Sequence, residues 1–380
     1  MSYDIVYESC PWYQRASLFN EHKKLLSLHQ DFESSTYKEG AVIVGRIRTI
    51  VAGLNAAFVD IGDIDDGFLP LNKIPKSLGN LCEGQAIVVR ITRERTDEKG
   101  ATLNANVLHA MPEGVLKLPM ILEYPPVALS RALMSSGSAP VRVWINDARL
   151  RVEALKFIPE TKIYQLDQHE DVDLFEKLDD ELSLLSGNVF PLIGGGSLTI
   201  ERTKALTSID VDSGSMIMAK KEDLAFQVNM IATGEIVRLC RLLNIGGSVI
   251  VDFITMRSNA HRAQVTEHLK ELFYESDVMR VDVLRMSRFG LLEFNREKVG
   301  ATLLQNLTKP SAVASDILLK LWRDKPGSKI HRVVASSDVI GVLSSRLTAS
   351  TCIAYLGRPV ELVARDDFTS ECYALSSTDV

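Results

Sequence analysis

Three aspartates in two strand-like runs, TSIDVD and SVIVDFI, have the types and spacing to do chemistry. Asp210 and Asp212 lie two apart, so they share one face of a strand while Ile209 and Val211 take the other. Asp is a poor strand former and adjacent like charges repel, so the pair calls for a compensating cation, unless it is a solvated strand end. Asp252 interrupts an apolar run of the kind buried on both sheet faces, with Ile250 and Ile254 as its face-mates. An unpaired carboxylate in such a run is costly and needs a cation, a hydrogen-bond network or a wet cleft. An ion pair to Arg280 or Arg288 would answer that need structurally. Oxygen-only ligands converging at strand ends suit magnesium, which keeps its waters and takes one or two carboxylates.

The elements that must position these residues form an α/β layout from Ser197 onward. The run SLTIER, the strand with Asp210 and Asp212, a helix over 222–243, the strand with Asp252, a helix AHRAQVTEHLKELF and a strand VMRVDVLRM follow in order. Leu224, Val228, Ile231, Val237 and Leu242 give the first helix its stripe, and Gly246–Gly247 stops it. Val265, Leu269, Leu272 and Phe273 do the same for the second. Beyond Lys309 a smaller α/β piece contains ASDILLKLWRD, KIHRVVAS and VELVARDD, with Pro310 and the turn at Lys325 as boundary signals.

Between Tyr37 and Val107, five short runs separated by Gly, Asp and Asn predict a small Greek-key barrel of the OB type. Ala57, Val59, Ile61, Leu69 and Leu71 take the core face. Phe58 and Phe68 fall out of phase with them and offer outward stacking platforms for unpaired bases. Arg46, Arg48, Arg90 and Lys99 are candidates for nearby phosphate contacts. A carboxylate-bound metal beside an RNA-gripping barrel points to phosphodiester hydrolysis, in which the metal polarises a phosphate oxygen and acidifies the attacking water. Arg280, Arg285 and Arg288 are candidates to hold the phosphate. Before the barrel, two or three strands lack partners. After it, VRVWINDARLRVEALKF predicts a hairpin turning at Asn-Asp, followed by the helical DVDLFEKLDDELSLLSG, so the barrel reads as an insertion into another domain.

The 380 residues predict two to four domains, and 46% apolar with 24% charged residues is a globular composition. No apolar run reaches the roughly 18–20 residues of a membrane span, and the first residues lack a signal-peptide pattern, so the expectation is a cytoplasmic protein without a membrane. The net charge of −6 neither requires nor excludes a nucleic-acid partner. The five cysteines contain no CxxC pair and predict neither a zinc knuckle nor a disulfide framework. IGGGS at Ile193 lacks phosphate-loop spacing and reads as a turn. His261 and His268 share a helix face without a third ligand, and Tyr7, Trp12 and Tyr13 read as core or interface residues.

Four blocks in the same order resemble the bacterial ribonuclease E/G family: LNAAFVDIG…DDGFLPL, ALTSIDVDSG, NIGGSVIVDFI and SRFGLLEFNREK. The resemblance covers most of the chain. It implies an endoribonuclease that cuts single-stranded, often A/U-rich RNA with Mg2+ and leaves 5′-phosphate ends. It implies a ribonuclease-H-like domain (1–36 and 113–196) split by an OB-fold RNA-binding barrel (37–112). A deoxyribonuclease-I-like catalytic domain (197–308) and a small C-terminal α/β domain (309–380) would follow. The family's metal ligands fall on Asp210 and Asp252, its base-stacking aromatics on Phe58 and Phe68, its barrel lysine on Lys99 and a phosphate-contacting arginine on Arg280.

Departures from the family pattern carry expectations of their own. Asp212 replaces the usual Asn, and an extra carboxylate there either tightens the metal or repels the phosphate. SMIMAKKED replaces a Thr-Arg-Gly-Gly-like stretch, with Lys220 and Lys221 available to supply charge, and Thr255 replaces a common acidic residue. The chain between the barrel and VRVWIND is too short for the family's 5′-end sensor, and the zinc-linking cysteine pair is absent after Val299. Cleavage insensitive to the 5′ end is expected, with any homo-oligomer formed without a zinc link. A catalytically weak or inactive RNA-binding relative, or another phosphoryl enzyme on the same scaffold, are the other readings.

Overall fold

The computed structural model describes residues 3–32, 37–75, 78–79, 81–95, 99–114, 117–137, 139–165, 172–185, 187–215, 221–277, 279–297, 302–324, 329–369 and 372–379. Two compact units form, one from the chain up to Gln30 together with Ala132 onward, the other from Asp31–Arg131.

The chain starts with three antiparallel strands, β1 (Tyr3–Cys10), β2 (Tyr13–Phe19) and β3 (Leu25–Phe32). Tyr7, Trp12 and Tyr13 are buried there, as their sequence context predicts.

In the second unit, β4 (Val42–Val51), β5 (Ala56–Asp60), β6 (Gly67–Pro70), β7 (Ala86–Arg93) and β8 (Thr102–Asn104) pair in the order β5-β6-β8-β7-β4. A β4–β5 pairing closes the barrel, and β9 (Met120–Glu123) adds to the far side of β4. Ala57, Val59, Ile61 and Leu69 are buried inside with Ile43, Val89 and Leu103. Each such Val, Leu or Ile side chain contributes about 1.5–3 kcal/mol relative to exposure, which favours this register of the short strands.

The chain re-enters the first unit along α1 (Ala128–Ser135). There follow β10 (Val141–Ile145), α2 (Leu150–Ala154), β11 (Ile163–Gln165) and α3 (Val172–Leu185). The sheet order is β11-β10-β1-β2-β3, so strands from both sides of the barrel segment share one sheet. The hairpin expected over VRVWINDARLRVEALKF does not form. β11 runs parallel to β10, with α2 between them. Asn146 is not a hairpin turn residue but a lock on β1: its amide accepts from Ser9 N at 2.9 Å and donates to Ser9 O at 3.0 Å.

The next sheet contains β12 (Val189–Pro191), β13 (Ser197–Arg202), β14 (Thr207–Asp212), β15 (Gly247–Asp252), β16 (Val281–Val283) and β17 (Leu291–Arg296), in the order β12-β13-β14-β15-β17-β16. IGGGS makes the turn between β12 and β13, where Leu192 N donates to Gly196 O at 2.7 Å. β14 and β15 are parallel and joined by α4 (Lys221–Leu242); α5 (Asn259–Ser276) follows β15. Val228, Ala232 and Ile236 of α4 and Val265, Leu269 and Phe273 of α5 share one core with Ile209, Val211, Val249, Val251, Leu292 and Phe294. Ile231, placed by its spacing on the core stripe, is instead 36% exposed.

The last part holds α6 (Leu303–Leu307), α7 (Pro310–Arg323), β18 (Lys329–Ala335), α8 (Ser337–Ser344), α9 (Ala349–Thr351), β19 (Val360–Ala364) and β20 (Tyr373–Asp379), with sheet order β19-β18-β20. Among the described residues no single helix is long and apolar enough to cross a membrane. One bent pair, Ser337–Ser344 with Ala349–Leu356, passes that test only when joined. All five cysteines are free. Burial pushes the Cys10 thiol up to about 11 and the Cys240 thiol up to about 12, so neither is a nucleophile.

Candidate active site

Because β14 and β15 are parallel and in register, Asp210 sits directly beside Asp252 at the carboxyl ends of both strands. Ligands of α/β sheets bind beyond those ends. Helices α4 and α5 pack on the face of Ile209, Val211, Val249 and Val251, and the alternation leaves Asp210, Asp212 and Asp252 exposed. Asp252 is therefore not in a strand buried on both faces. Ile250, its face-mate, is also only partly covered.

Electrostatics at this edge favour a cation. Partial burial, and then the charges of Asp252 and Asp212, hold the Asp210 carboxyl above the usual aspartate range. Among the described residues no group of three or more His, Cys, Asp or Glu is arranged to hold a metal. Two carboxylates with open solvent around them fit magnesium, which retains waters, and do not fit a closed structural zinc site. Asp212 shares the face, but its Oδ1 accepts from Gly214 N at 2.9 Å and so shapes the turn that follows β14.

The chain after Asp252 is held in place from several sides. Buried Asn229 of α4 donates from its amide to Ile254 O at 2.8 Å and accepts from Ile254 N at 3.0 Å. Glu222 accepts from Arg257 N and Ser258 N, both at 3.0 Å, and its carboxylate lies 3.3 Å from His261 Nδ1. Thr255 donates to Phe289 O at 3.1 Å, and Phe253 N donates to Gly290 O at 3.1 Å. Gly290 has a φ of +99°, and a Cβ there would meet Phe253 O at 2.3 Å, so the FGLL turn tolerates no larger residue. Asn229 and Glu222 were not singled out in the sequence; a polar residue on the apolar stripe of α4 is the one signal that marks Asn229.

The arginines separate. Leu291 pairs with Asp252, so the turn carrying Arg285 and Arg288 lies at the aspartate end of the sheet. The Arg288 guanidinium rests 4.8 Å from the Phe289 ring centroid and is exposed. Arg280 precedes Val281, which aligns with Arg296 and Gly247 at the opposite end of β15. At about 3.3 Å per residue that is on the order of 20 Å from Asp252. Its ion pair is to Asp282, at 3.2 Å. Neither arginine is the buried partner that the apolar-run reading of Asp252 called for. His268 Nδ1 bonds Thr233 Oγ1 at 2.8 Å and takes no part in the site. Lys220 lies outside the described residues, and Lys221 is described only as the first residue of α4.

In the barrel unit, Phe58 and Phe68 are cross-strand partners on β5 and β6, half-buried, with ring centroids 5.9 Å apart at an interplanar angle of 70°. Two neighbouring half-buried aromatics on a barrel sheet have the chemistry of a stacking platform for unpaired bases. Lys99 is exposed, Arg46 donates to Gly84 O, Arg48 pairs with Asp60, and Arg90 lies 3.7 Å from Glu123. Exposed pairs of this kind are weak enough to open for a phosphate.

The Ribonuclease E/G family model matches residues 120–299, the segment that contains both aspartate strands. Ribonuclease E of Buchnera aphidicola is 27% identical over 377 aligned residues, covering 74% of this chain and 42% of that protein. Ribonuclease E of Escherichia coli K12 is 26% identical, covering 74% and 35%. Ribonuclease G of E. coli K12 is 32% identical over 161 residues, covering 40% and 32%. The chain thus spans less than half the length of these three relatives. The family match lies across the sheet that carries Asp210 and Asp252, so over this segment the chain is similar to the ribonuclease E/G family.

Proposed function

We propose that the protein is a magnesium-dependent endoribonuclease that cuts single-stranded RNA and leaves 5′-phosphate ends. The observation that carries this reading is the register-matched Asp210–Asp252 pair at the open carboxyl ends of two parallel strands. Asp210 and Asp252 would hold the metal, Asp212 the turn beside it, and Arg288 with Arg285 the scissile phosphate. A metal bound by the two carboxylates would polarise a phosphate oxygen and acidify water. Phe58 and Phe68 would stack successive bases, with Lys99 on the backbone. RNA is the substrate class that the relatives' names support, and a cytoplasmic setting follows from that reading.

Phe58→Ala is expected to weaken binding of a single-stranded RNA by about 1–3 kcal/mol, the scale of one base–aromatic stack. Fluorescence anisotropy in chelator reads this without cutting, and unchanged affinity would remove the barrel face from the RNA path.

Cleavage insensitive to the 5′ end remains part of the proposal. The short connection between β9 and β10 supports it, as do the 377 aligned positions that cover only 74% of this chain, so the relative carries residues that this chain lacks. Equal cutting rates are expected on 5′-monophosphate and 5′-hydroxyl versions of one RNA, with new 5′-phosphate ends in both. A tenfold preference for the monophosphate, equal to about 1.4 kcal/mol, would contradict it.

A further inference from the structure

The first unit contains a second built site, away from the aspartate edge. A cavity of about 440 Å³ lies among α3, α6 and α7 and is lined by Arg15, Asp179, Leu182, Leu307, Ala312 and Asp316. Its volume is that of a small-ligand pocket. The Arg15 side chain is 2% exposed, and its Nη2 has no hydrogen-bond partner. An orphaned guanidinium N–H at that depth costs about 1–3 kcal/mol, and a ligand acceptor would remove the cost.

The charges around Arg15 select the ligand. Glu8 accepts from Arg15 Nε at 2.6 Å, and Asp316 lies 3.5 Å from Nη1. Asp316 is in turn served by Tyr373, whose hydroxyl donates at 2.7 Å, and by Lys320 at 3.0 Å. Asp179 is less satisfied: it is 41% exposed and pairs with Arg323 at 3.1 Å. Arg15 Nη2 and Asp179 Oδ1 stand 3.8 Å apart, too far for a hydrogen bond between them. A ligand edge with an acceptor beside a donor can bridge the two. The three acidic side chains Glu8, Asp179 and Asp316 balance the three basic ones Arg15, Lys320 and Arg323, so a ligand of net charge would unbalance the site.

We propose that this cavity binds a keto nucleobase, with the ring carbonyl accepting from Arg15, the adjacent ring N–H donating to Asp179, and the aliphatic wall covering the ring. Guanine has that edge. Adenine reverses it and would set a donor against Arg15. The identification of a nucleobase rests on the reading of the protein as one that handles RNA.

The test is calorimetric titration of the 380-residue chain in chelator with guanosine and with adenosine. A parallel anisotropy arm uses an oligoadenylate with or without one internal guanosine. Guanosine is expected to bind at least about tenfold tighter than adenosine, the discrimination of one well-made base contact. Ser183→Trp and Thr308→Trp fill the cavity from residues outside the charge network, and each is expected to abolish guanosine binding while thermal melts show an intact fold. Tighter binding of the guanosine-containing oligonucleotide would show that the base can arrive within a chain; discrimination by the nucleoside alone would assign the site to free guanosine. Absent binding, equal binding of adenosine, or binding unmoved by both tryptophans would overturn the proposal. Cutting assays leave these readouts untouched, so cleavage without guanosine binding rejects the pocket alone, and guanosine binding without cleavage rejects the nuclease alone.

Discussion

Asp252→Asn is expected to lower magnesium-dependent RNA cutting on the order of a thousandfold, equivalent to about 4 kcal/mol of lost transition-state stabilisation. Asn keeps the shape of the side chain and removes the charge that pairs with Asp210 across the two parallel strands. Asp210→Asn is expected to do the same. The fold should not suffer, because both side chains are exposed and removing one charge relieves the repulsion that raises the Asp210 pKa. Melting temperatures without metal should therefore stay the same or rise, while activity falls. Asp212→Asn is the internal control. An Asn oxygen can still accept from Gly214 N, so the turn survives and cutting stays close to that of the unaltered protein. Single-turnover cleavage at saturating magnesium separates the three variants. A loss for Asp212→Asn equal to that for Asp252→Asn would make Asp212 a third member of the centre.

Glu8→Ala should be the most destabilising single change in the first unit, at about 3–5 kcal/mol, the usual result of removing one partner from a buried ion pair. Glu8 is fully buried on β1, faces Arg15 across the β1–β2 ladder, and is also reached by Arg323 from α7. Truncation leaves Arg15 without its closest acceptor at 2% exposure. Folded proteins hold only about 5–15 kcal/mol, so a loss of this size moves a urea midpoint plainly. The same residue sets an acid limit. Burial alone would raise the Glu8 pKa, but Arg15 and Arg323 outweigh it and hold the carboxyl below its usual 4.5. With the folded pKa depressed, the folded state binds fewer protons, so this contribution is complete above the usual glutamate range and fades as pH falls through the folded value. Between neutrality and acid, the unaltered protein should lose stability more steeply than Glu8→Ala. Urea midpoints measured from pH 7 down to 3 give both slopes, and parallel slopes would remove Glu8 from the account.

The barrel and the aspartate pair were legible because local rules decide them. Gly, Asn and Asp mark the barrel turns, and period-two alternation separates buried Ala57, Val59 and Leu69 from Phe58 and Phe68. The cross-strand placement of Phe58 against Phe68 needs only the register of one short hairpin. Apart from Ile231, placed on the wrong side of its helix stripe, the failures were long-range. Asn146-Asp147 reads as a hairpin turn, yet Asn146 is held by Ser9, a residue 137 positions away in a strand that no local pattern could assign as its neighbour. Apolar SVIVDFI reads as doubly buried, and only the packing of α4 and α5 on one face shows that Asp252 faces outward. Arg280 and Arg288 are close in sequence, but β16 and its turn put them at opposite ends of the sheet. Orphaned Arg15 Nη2 had no sequence signal, since its surroundings come from β1, α3 and α7 together.

The most direct measurement is cleavage of an end-labelled, unstructured A/U-rich RNA by the 380-residue chain, with magnesium and with chelator. Cutting at internal sites in magnesium, lost in chelator and lost in both Asp210→Asn and Asp252→Asn, is the predicted result. RNA bound but left intact in every condition would contradict the nuclease reading and make the protein an RNA-binding relative of these ribonucleases.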